Sequence, residues 1–373
     1  MKIIFTGGGT GGHVFPIVAI ARELKKIRPD FVFYYIGPKD EFASFHLKRE
    51  GIKMKWILAG KIRRYWSKES LFLNLLDLIK IPIGFLQSFF YVFFLLPDLI
   101  FSKGGYGSIP VSMMGPLFLT PVMVHESDAV PGFANNLVSK FALEVFVSFP
   151  VDKTKHFPKK KIISVGSPIR NDIIGGSFEE AKEVFGVKEG KPVVLVLGGS
   201  QGSQKINSTI LDGLTDFLNN FQIIHQVGQD NFKEVEAGAK VMASGHLMPN
   251  YSISPFLRER EMKLALAASD IIISRAGGGA IFEIAASGKP SILVPLPFSA
   301  QNHQVENAYA YEASGACVVV EEKNLAPHFI LEKLKYLLAD EKGLKKMSQA
   351  AKGFSRPRAA EIIAKYVSEY LVF

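Results

Sequence analysis

His13 closes the run Gly7-Gly8-Gly9-Thr10-Gly11-Gly12-His13 and is the side chain best suited to proton transfer. A glycine turn leaves amide N–H groups open to a ligand, and a helix starting there adds partial positive charge. Such a place suits an anion. An imidazole beside it can take a proton from an attacking hydroxyl near neutral pH. The plainer alternative is a structural or capping histidine. A second turn of this kind, Gly198-Gly199-Ser200-Gln201-Gly202, follows the apolar run Val193–Leu197.

Three further segments carry polar chemistry. Phe101-Ser102-Lys103-Gly104-Gly105-Tyr106 is another strand-to-glycine turn, and Val124-His125-Glu126-Ser127-Asp128 is a strand ending in polar residues. Glu126 and Asp128 have oxygens for Mg²⁺, but one such pair makes a poor metal site, so hydrogen bonding and a structural turn are the readings left. Ser274-Arg275-Ala276-Gly277-Gly278-Gly279-Ala280-Ile281-Phe282-Glu283 again runs from strand to glycine loop to helix. Its Glu283 can accept two hydrogen bonds from a ribose diol, or it is an ordinary first-turn carboxylate favouring the helix dipole. Gln301-Asn302-His303-Gln304, followed by Asn307, forms a loop rich in neutral hydrogen-bonding groups and suits a sugar. Arg170 is placed to pair with a diphosphate.

Some chemistries are excluded. The first turn has the letters of the dinucleotide fingerprint, yet the following strand ends in Tyr35-Ile36-Gly37-Pro38 and Asp40 comes late for a ribose. No Gly-Lys-Ser/Thr follows either turn, so neither is a P-loop. No Asp-x-Asp occurs, and neither a metal nor a cofactor is expected.

These residues need a scaffold. Strand-like runs at Ile3–Thr6, Phe31–Ile36, Leu99–Ser102, Pro121–His125 and Val145–Ser148 alternate with helical stretches such as Val14–Ile27 and Phe133–Phe141. The second half repeats the pattern with strands Val193–Leu197, Gln222–Gln226, Ile271–Ser274 and Ile292–Pro295. Helices are expected there over Ile206–Asn219, Glu261–Ala268, Ile281–Ala286 and Val305–Ala313. Alternation of this kind predicts parallel sheets with helices on both faces. Two Rossmann-like doubly wound α/β domains facing a crevice are therefore expected. Their boundary falls in Ser164–Arg170, giving domains 1–165 and 166–356. Pro357–Phe373 reads as a terminal helix crossing back to the first.

Composition narrows the partners. Hydrophobic content of 48% and charged content of 21% describe a globular chain, and a single cysteine, Cys317, cannot form an internal disulfide. No signal peptide is expected from the N-terminal residues. Of the net charge of +9, all the excess lies in residues 1–170, where Lys and Arg outnumber Asp and Glu 23 to 12, against 21 to 23 in the rest. A basic half faces nucleic acid, anionic lipid or a phosphorylated substrate. Leu71–Leu96 is unusually apolar, but Asp77, Lys80 and Pro82 leave an uncharged run, Ile81–Leu96, that is too short for a span of about 20 residues. With Lys61, Arg63, Arg64 and Lys68 beside Tyr65 and Trp66, it reads either as core helix or as a surface that docks on an anionic membrane, the latter favoured. No nucleic-acid motif accompanies the charge.

Taken in order, Gly-Gly-Thr-Gly-Gly-His at 8–13, Gly-Gly-Tyr at 104–106, His-Glu at 125–126, Gly-Ser-Pro-Ile-Arg at 166–170, Gly-Gly-Ser-Gln-Gly at 198–202, Ser-Arg-Ala-Gly at 274–277 with Glu283, and His-Gln-x-x-Asn-Ala at 303–308 resemble one family. It is the membrane-associated UDP-N-acetylglucosamine:undecaprenyl-diphosphate-muramoyl-pentapeptide N-acetylglucosaminyltransferases of peptidoglycan synthesis. The resemblance implies a GT-B fold and inverting transfer from UDP-N-acetylglucosamine to lipid I at the cytoplasmic face of the membrane, with His13 as general base. It implies donor contacts from Thr10, Gly11, Gly12, Asp128, Arg170, Ser200 and the backbone at Leu257. It adds the loop Gly278, Gly279, Ala280, Ile281 and Phe282, with Glu283 on the ribose and Gln304 and Asn307 on the sugar. Gly104, Gly105, Tyr106, His125 and Glu126 fall on the acceptor side. Two departures stand out. The family commonly has His-Glu-Gln-Asn where this chain has His125-Glu126-Ser127-Asp128, and the segment Phe256–Glu261 is longer than usual.

Rival readings are a glycosyltransferase of the same fold with another acceptor, and a non-catalytic nucleotide-sugar-binding subunit. A dehydrogenase is disfavoured by the missing acid at the end of the second strand.

Overall fold

The computed structural model describes residues 1–60, 68–150 and 157–372, with no side chains described for 68–76, 171 and 300. Lys61, Arg63, Arg64, Tyr65 and Trp66 lie outside the described residues, as does the side chain of Lys68. In chain order the elements begin β1 (Lys2–Thr6), α1 (Gly11–Ile27), β2 (Val32–Gly37), α2 (Glu41–Arg49), β3 (Lys53–Trp56), α3 (Lys68–Leu95), β4 (Leu99–Ser102), α4 (Ser108–Leu117), β5 (Val122–Glu126), α5 (Phe133–Ser139), β6 (Glu144–Val147) and β7 (Ile162–Ser164). They continue with α6 (Phe178–Phe185), β8 (Val193–Leu197), α7 (Gln204–Asp212), α8 (Leu214–Asn220), β9 (Gln222–Gln226), α9 (Phe232–Met242), β10 (Tyr251–Ser254), α10 (Glu259–Ala268), β11 (Ile271–Ser274) and α11 (Gly278–Ser287). The last are β12 (Ser291–Leu293), α12 (His303–Glu312), β13 (Cys317–Val319), α13 (Pro327–Ala339), α14 (Glu341–Phe354) and α15 (Ala359–Val372). The chain divides into two units, Met1–Ile169 with Pro357–Phe373, and Arg170–Arg356.

The first unit is a parallel sheet in the order β3-β2-β1-β4-β5-β6-β7. Its central strands are buried on both faces, as parallel strands under two helix layers must be. Ile3 and Phe5 point into a core shared with Ile17, Val18 and Leu24 of α1 and with Ile363, Ala364 and Val367 of α15. Ile4 points the other way, into a core shared with Val111 and Met114 of α4 and Val92 of α3. The period-2 alternation of β1 thus serves two helix layers. Tyr366 of α15 also donates to the Glu144 carboxylate at 2.7 Å.

Helix α3 runs unbroken through Pro82. Its stretch Asp77–Leu95, with mean hydropathy 1.8, is long and apolar enough by length and composition to cross a membrane. The stretch includes two charges, the buried Asp77 and Lys80 paired with it at 2.7 Å, and the uncharged remainder Ile81–Leu96 is short for a span, as expected. The helix is nonetheless built into the unit. Val92 lies in the core with Phe85, Tyr91 and Leu95 against it. Gln87 Oε1 accepts the Leu58 N–H at 2.7 Å. A helix whose inner row belongs to an α/β core cannot also be surrounded by lipid. Its outer row, Ile83, Leu86, Phe90, Phe93 and Phe94, is exposed.

The second unit is a parallel sheet in the order β10-β9-β8-β11-β12-β13. The helix expected over Ile206–Asn219 is two, α7 and α8, broken at Gly213. A side chain at Gly213 would come within 2.9 Å of Phe217 and Pro327, so glycine is kept for packing and the helix pays for it in propensity. Two doubly wound parallel α/β domains are thus present.

Candidate functional site

In each sheet the strand order reverses beside the first strand of the unit: between β1 and β4 in the first, between β8 and β11 in the second. Open α/β sheets bind ligands at the carboxyl ends of strands at such a switch point. The Gly7 turn follows β1 and the Lys103–Gly105 turn follows β4, while the Gly198 turn follows β8 and the Arg275–Gly277 turn follows β11. All four glycine turns picked out from the sequence therefore stand at switch points.

At the first switch point, Thr10 is the N-cap of α1 and its hydroxyl lies 2.9 Å from His13 Nδ1. His13 is half-buried. Gly105 has φ +82, and a Cβ there would sit 3.2 Å from His13 Nε2 and 3.1 Å from the Gly8 nitrogen. Only a glycine lets the two turns approach so closely without strain. Tyr35, buried within β2, donates its hydroxyl to the carbonyl of Gly7 at 2.9 Å and lies 3.3 Å from that of Gly8. Burial raises its pKa, so it remains a donor. Asp40 is the N-cap of α2, with Oδ1 accepting the Ala43 N–H at 2.8 Å.

Beneath these turns lies a buried ionisable cluster. Glu126, at the end of β5, accepts N–H groups of Asp128 at 2.9 Å, Gly132 at 3.1 Å and Asn135 at 2.9 Å. Burial and the Asp128 charge push its pKa up, while Lys103 and the N–H donors oppose the rise. Lys103 is buried, with Nζ donating to Ser127 Oγ at 3.0 Å. Burial pulls its pKa down against the Glu126 and Asp128 charges. His125 is fully buried, with Nε2 3.2 Å from both the Gly166 carbonyl and Ser148 Oγ. Burial and the Lys103 charge hold its pKa well below the usual value. A neutral imidazole so enclosed ties the end of β5 to Ser148 and to the Gly166 turn. Asp128 is half-buried and Tyr106 exposed.

At the second switch point the supporting groups are neutral. Gln226, buried at the end of β9, donates to the Gly199 carbonyl at 2.9 Å and accepts the Leu257 N–H at 3.0 Å. One amide thereby fixes the glycine turn to the segment expected to read a nucleobase. Leu257 is itself fully buried, so only its backbone is on offer there. Gly202 has φ +79, and a Cβ there would come within 2.0 Å of the Val227 carbonyl oxygen. His225 Nε2 lies 3.1 Å from Asn207 Oδ1, and Asn207 Nδ2 donates to the Val227 carbonyl at 3.0 Å. The Asn207 oxygen is therefore the acceptor, Nε2 carries the proton, and Nδ1 accepts from the Tyr251 hydroxyl at 2.8 Å. Burial holds His225 neutral, its pKa lowered to about 3.

Two arginines complete this unit. Arg170, almost fully buried, donates from Nη2 to Glu283 Oε1 at 3.0 Å and from Nε to the same oxygen at 3.2 Å. Two residues expected to hold different parts of a donor thus meet each other. Glu283 is the sixth residue of α11, one turn further on than a first-turn carboxylate. Gly278 to Phe282 form the start of α11, with the Ile281 and Phe282 side chains in the core and backbone N–H groups at the helix end. Arg275 donates to Ser203 Oγ at 2.6 Å and to the Val294 carbonyl at 3.2 Å, and pairs with Glu322. Ser200 stands half-buried on its turn. Gln304, in the first turn of α12, accepts the Leu296 N–H at 3.0 Å, and buried Asn307 donates to the Ala276 carbonyl at 3.1 Å. An open cleft of about 1030 Å³ borders this loop, lined in part by Lys205, Phe298, Asn302 and Glu321 and by neither Arg170 nor Glu283.

Sequence reasoning missed Tyr35, Lys103, Asn135, Gln226 and Arg275 as supports of these turns. For three of them, Lys103, Gln226 and Arg275, a signal was present: a polar residue ending, or directly following, a buried strand. Among the described residues no group of three or more His, Cys, Asp or Glu is arranged to hold a metal ion.

Residues 3–147 match the glycosyltransferase family 28 N-terminal domain and residues 193–363 the glycosyltransferase family 28 C-terminal domain. The fold and the paired glycine turns therefore belong to a two-domain glycosyltransferase of the GT-B class. The chain is 36% identical over 367 residues to the UDP-N-acetylglucosamine--N-acetylmuramyl-(pentapeptide) pyrophosphoryl-undecaprenol N-acetylglucosamine transferase of Clostridium tetani, covering 98% of both chains. It is 34% identical over 369 residues to a transferase of the same description, numbered 2, from Bacillus cereus, covering 99% of both. Among solved structures it resembles Acinetobacter baumannii MurG, with TM-score 0.72, 24% identity and 99% of each chain covered. It also resembles a UDP-GlcNAc 2-epimerase from Neisseria meningitidis bound to UDP-GlcNAc, with TM-score 0.67, 16% identity and coverage of 99% and 100%. The chain belongs to the family of UDP-N-acetylglucosamine--N-acetylmuramyl-(pentapeptide) pyrophosphoryl-undecaprenol N-acetylglucosamine transferases.

Proposed function

We propose that this protein transfers N-acetylglucosamine from UDP-N-acetylglucosamine to the C4 hydroxyl of the muramoyl-pentapeptide of lipid I, giving lipid II with inversion. The observation that carries the reading is similarity along the whole chain to transferases of that description. The local geometry supports a division of labour. In the first unit His13 is the general base. In the tautomer whose Nδ1–H donates to the Thr10 hydroxyl, Nε2 keeps its lone pair and takes the acceptor proton. The acceptor oxygen forms its bond to the anomeric carbon as the bond to the phosphate oxygen breaks, and UDP departs with the electron pair. Glu126 and His125 hold the turns of the acceptor side in place, with Gly104, Gly105 and Tyr106 lining it.

In the second unit the donor is held by Arg170, Ser200, the α11 N-terminus and Glu283, with Gln304 and Asn307 on the sugar and the Leu257 backbone on the base. The charge growing on UDP is met by helix N–H groups and Arg170 without a tightly bound metal. On binding, Glu283 accepts from a ribose diol and Arg170 turns part of its charge to phosphate. Thr10, Gly11, Gly12 and Asp128 are assigned to the same donor.

The first unit also docks on the cytoplasmic face of an anionic membrane, where the lipid acceptor resides. Supporting this, Phe90, Phe93 and Phe94 of α3 are exposed, and Phe118 after α4 packs on Phe89 at 5.2 Å between ring centroids. Leu117 and Leu119 extend the patch, and Lys55 lies over the Tyr91 ring. Apolar rings with a lysine beside them suit that interface.

The test is transfer of labelled N-acetylglucosamine to a lipid I analogue by the purified chain. Label in the disaccharide lipid is the expected result. Label remaining in the donor, or moving to a different acceptor in competition, would overturn the reading.

A further inference from the structure

Lys103 takes no part in the reaction as described, yet it is the one lysine buried among the described residues. An ammonium leaves water at high cost unless charge and hydrogen bonds replace what it loses. Ser127 Oγ at 3.0 Å supplies a hydrogen bond but no charge. Ser127 stands between Glu126 and Asp128 in the chain, so the ammonium bonded to it sits at the strand end that carries both carboxylates, and their charges offset its burial. The reverse need is as clear. Glu126 is met by three N–H groups, which offset part of the cost of its burial. A second carboxylate two residues away repels it, and that extra negative charge calls for a cation.

The cluster leads to His13 through a contiguous chain. Asn135, which donates to Glu126, closes against Gly104, where a Cβ would come within 2.7 Å of it. Gly104 precedes Gly105, whose backbone packs on His13.

We propose that Lys103 is a positioning residue of the acceptor side: its ammonium balances the Glu126 and Asp128 carboxylates and so fixes the turn on which His13 rests. This rests on the acceptor-side reading given above. The test is a double-mutant cycle of Lys103→Met in the wild-type and Asp128→Asn backgrounds. Thermal midpoint, acceptor kinetics and UDP-N-acetylglucosamine affinity are measured on all four proteins. In the wild-type background Lys103→Met is expected to lower kcat/KM for the lipid acceptor about tenfold or more and to lower the thermal midpoint, with donor affinity unchanged. In the Asp128→Asn background the same substitution is expected to cost less than about threefold and to leave the midpoint nearly in place. Equal losses in both backgrounds, or no loss in either, would overturn the proposal. Should Lys103→Met fold only when Asp128 is Asn, charge balance is supported; folding in neither background overturns it. The melting cycle needs no substrate, so a wild-type protein without transfer activity would sink the functional reading and leave this one decided separately.

Discussion

The two switch points share a backbone plan and differ in what lies beneath it. Each has a buried strand, a glycine turn and a helix N-terminus, repeated on the neighbouring strand. Beneath the Gly7 turn sit ionisable residues: Lys103, bonded to Ser127, and Glu126, which accepts the backbone N–H of Asp128. Beneath the Gly198 turn sit Gln226, Asn207 and a neutral His225, each with assigned donors and acceptors. A neutral network is insensitive to a passing proton and holds a donor in one geometry. An ionised one shapes the field around a base. On the proposed reading, the same glycine device serves binding in one unit and proton transfer in the other.

The largest effect expected from breaking this comparison is on His13. Replacing it with Ala should cut kcat by about 10²–10⁴-fold, the usual worth of a general base, with donor affinity unaltered. Next comes the apolar face of the first unit. Phe90→Asp with Phe94→Asp removes two exposed rings, each worth about 1.5–3 kcal/mol when buried in lipid. Binding to anionic vesicles should fall roughly a hundredfold or more while the melting temperature holds; a collapsed fold would instead assign the face to the core. Glu283→Ala should weaken donor binding by about tenfold to a hundredfold, from the loss of charge-assisted bonds of about 1.5–3 kcal/mol. Calorimetric titration with UDP-N-acetylglucosamine reads this directly.

The smallest effect near neutrality is on stability against pH. His125 and His225 are both held neutral in the fold, so their folded pKa values lie below the unfolded value of about 6.5. Their contribution is fully present above that value. It is lost as pH falls from there toward the His225 value of about 3, because the unfolded chain binds the extra protons. Melting temperatures measured from pH 8 down to pH 4 should stay level and then decline below about 6.5, less steeply in a His225→Gln variant.

What the sequence made legible follows from which forces are local. Strands β1 and β8 announce themselves because both faces are buried: β8 is apolar throughout, and β1 is apolar between Lys2 and Thr6. Strand β3 does not: Lys53 and Lys55 are its exposed residues at the sheet edge, so its signal is weak. Helix α11 opens on two glycines with poor helix propensity, which hides its first turn and made Glu283 look like an initial residue. The glycine turns themselves could be read because their function is written in consecutive residues. Their supports could not. The Arg170–Glu283 pair joins residues 113 apart, and Tyr35 reaches Gly7 from the next strand. Such contacts arise only when the sheet is assembled.

The central claim is that the two turns divide the work, and crossed readouts on two variants test it most directly. Transfer rate to a lipid I analogue and affinity for UDP-N-acetylglucosamine are measured for His13→Ala and for Glu283→Ala beside wild type. The account predicts that His13→Ala loses rate at saturating substrates and keeps wild-type donor affinity, while Glu283→Ala loses donor affinity first. A His13→Ala protein that transfers at the wild-type rate, or one that binds donor as poorly as Glu283→Ala, would contradict it.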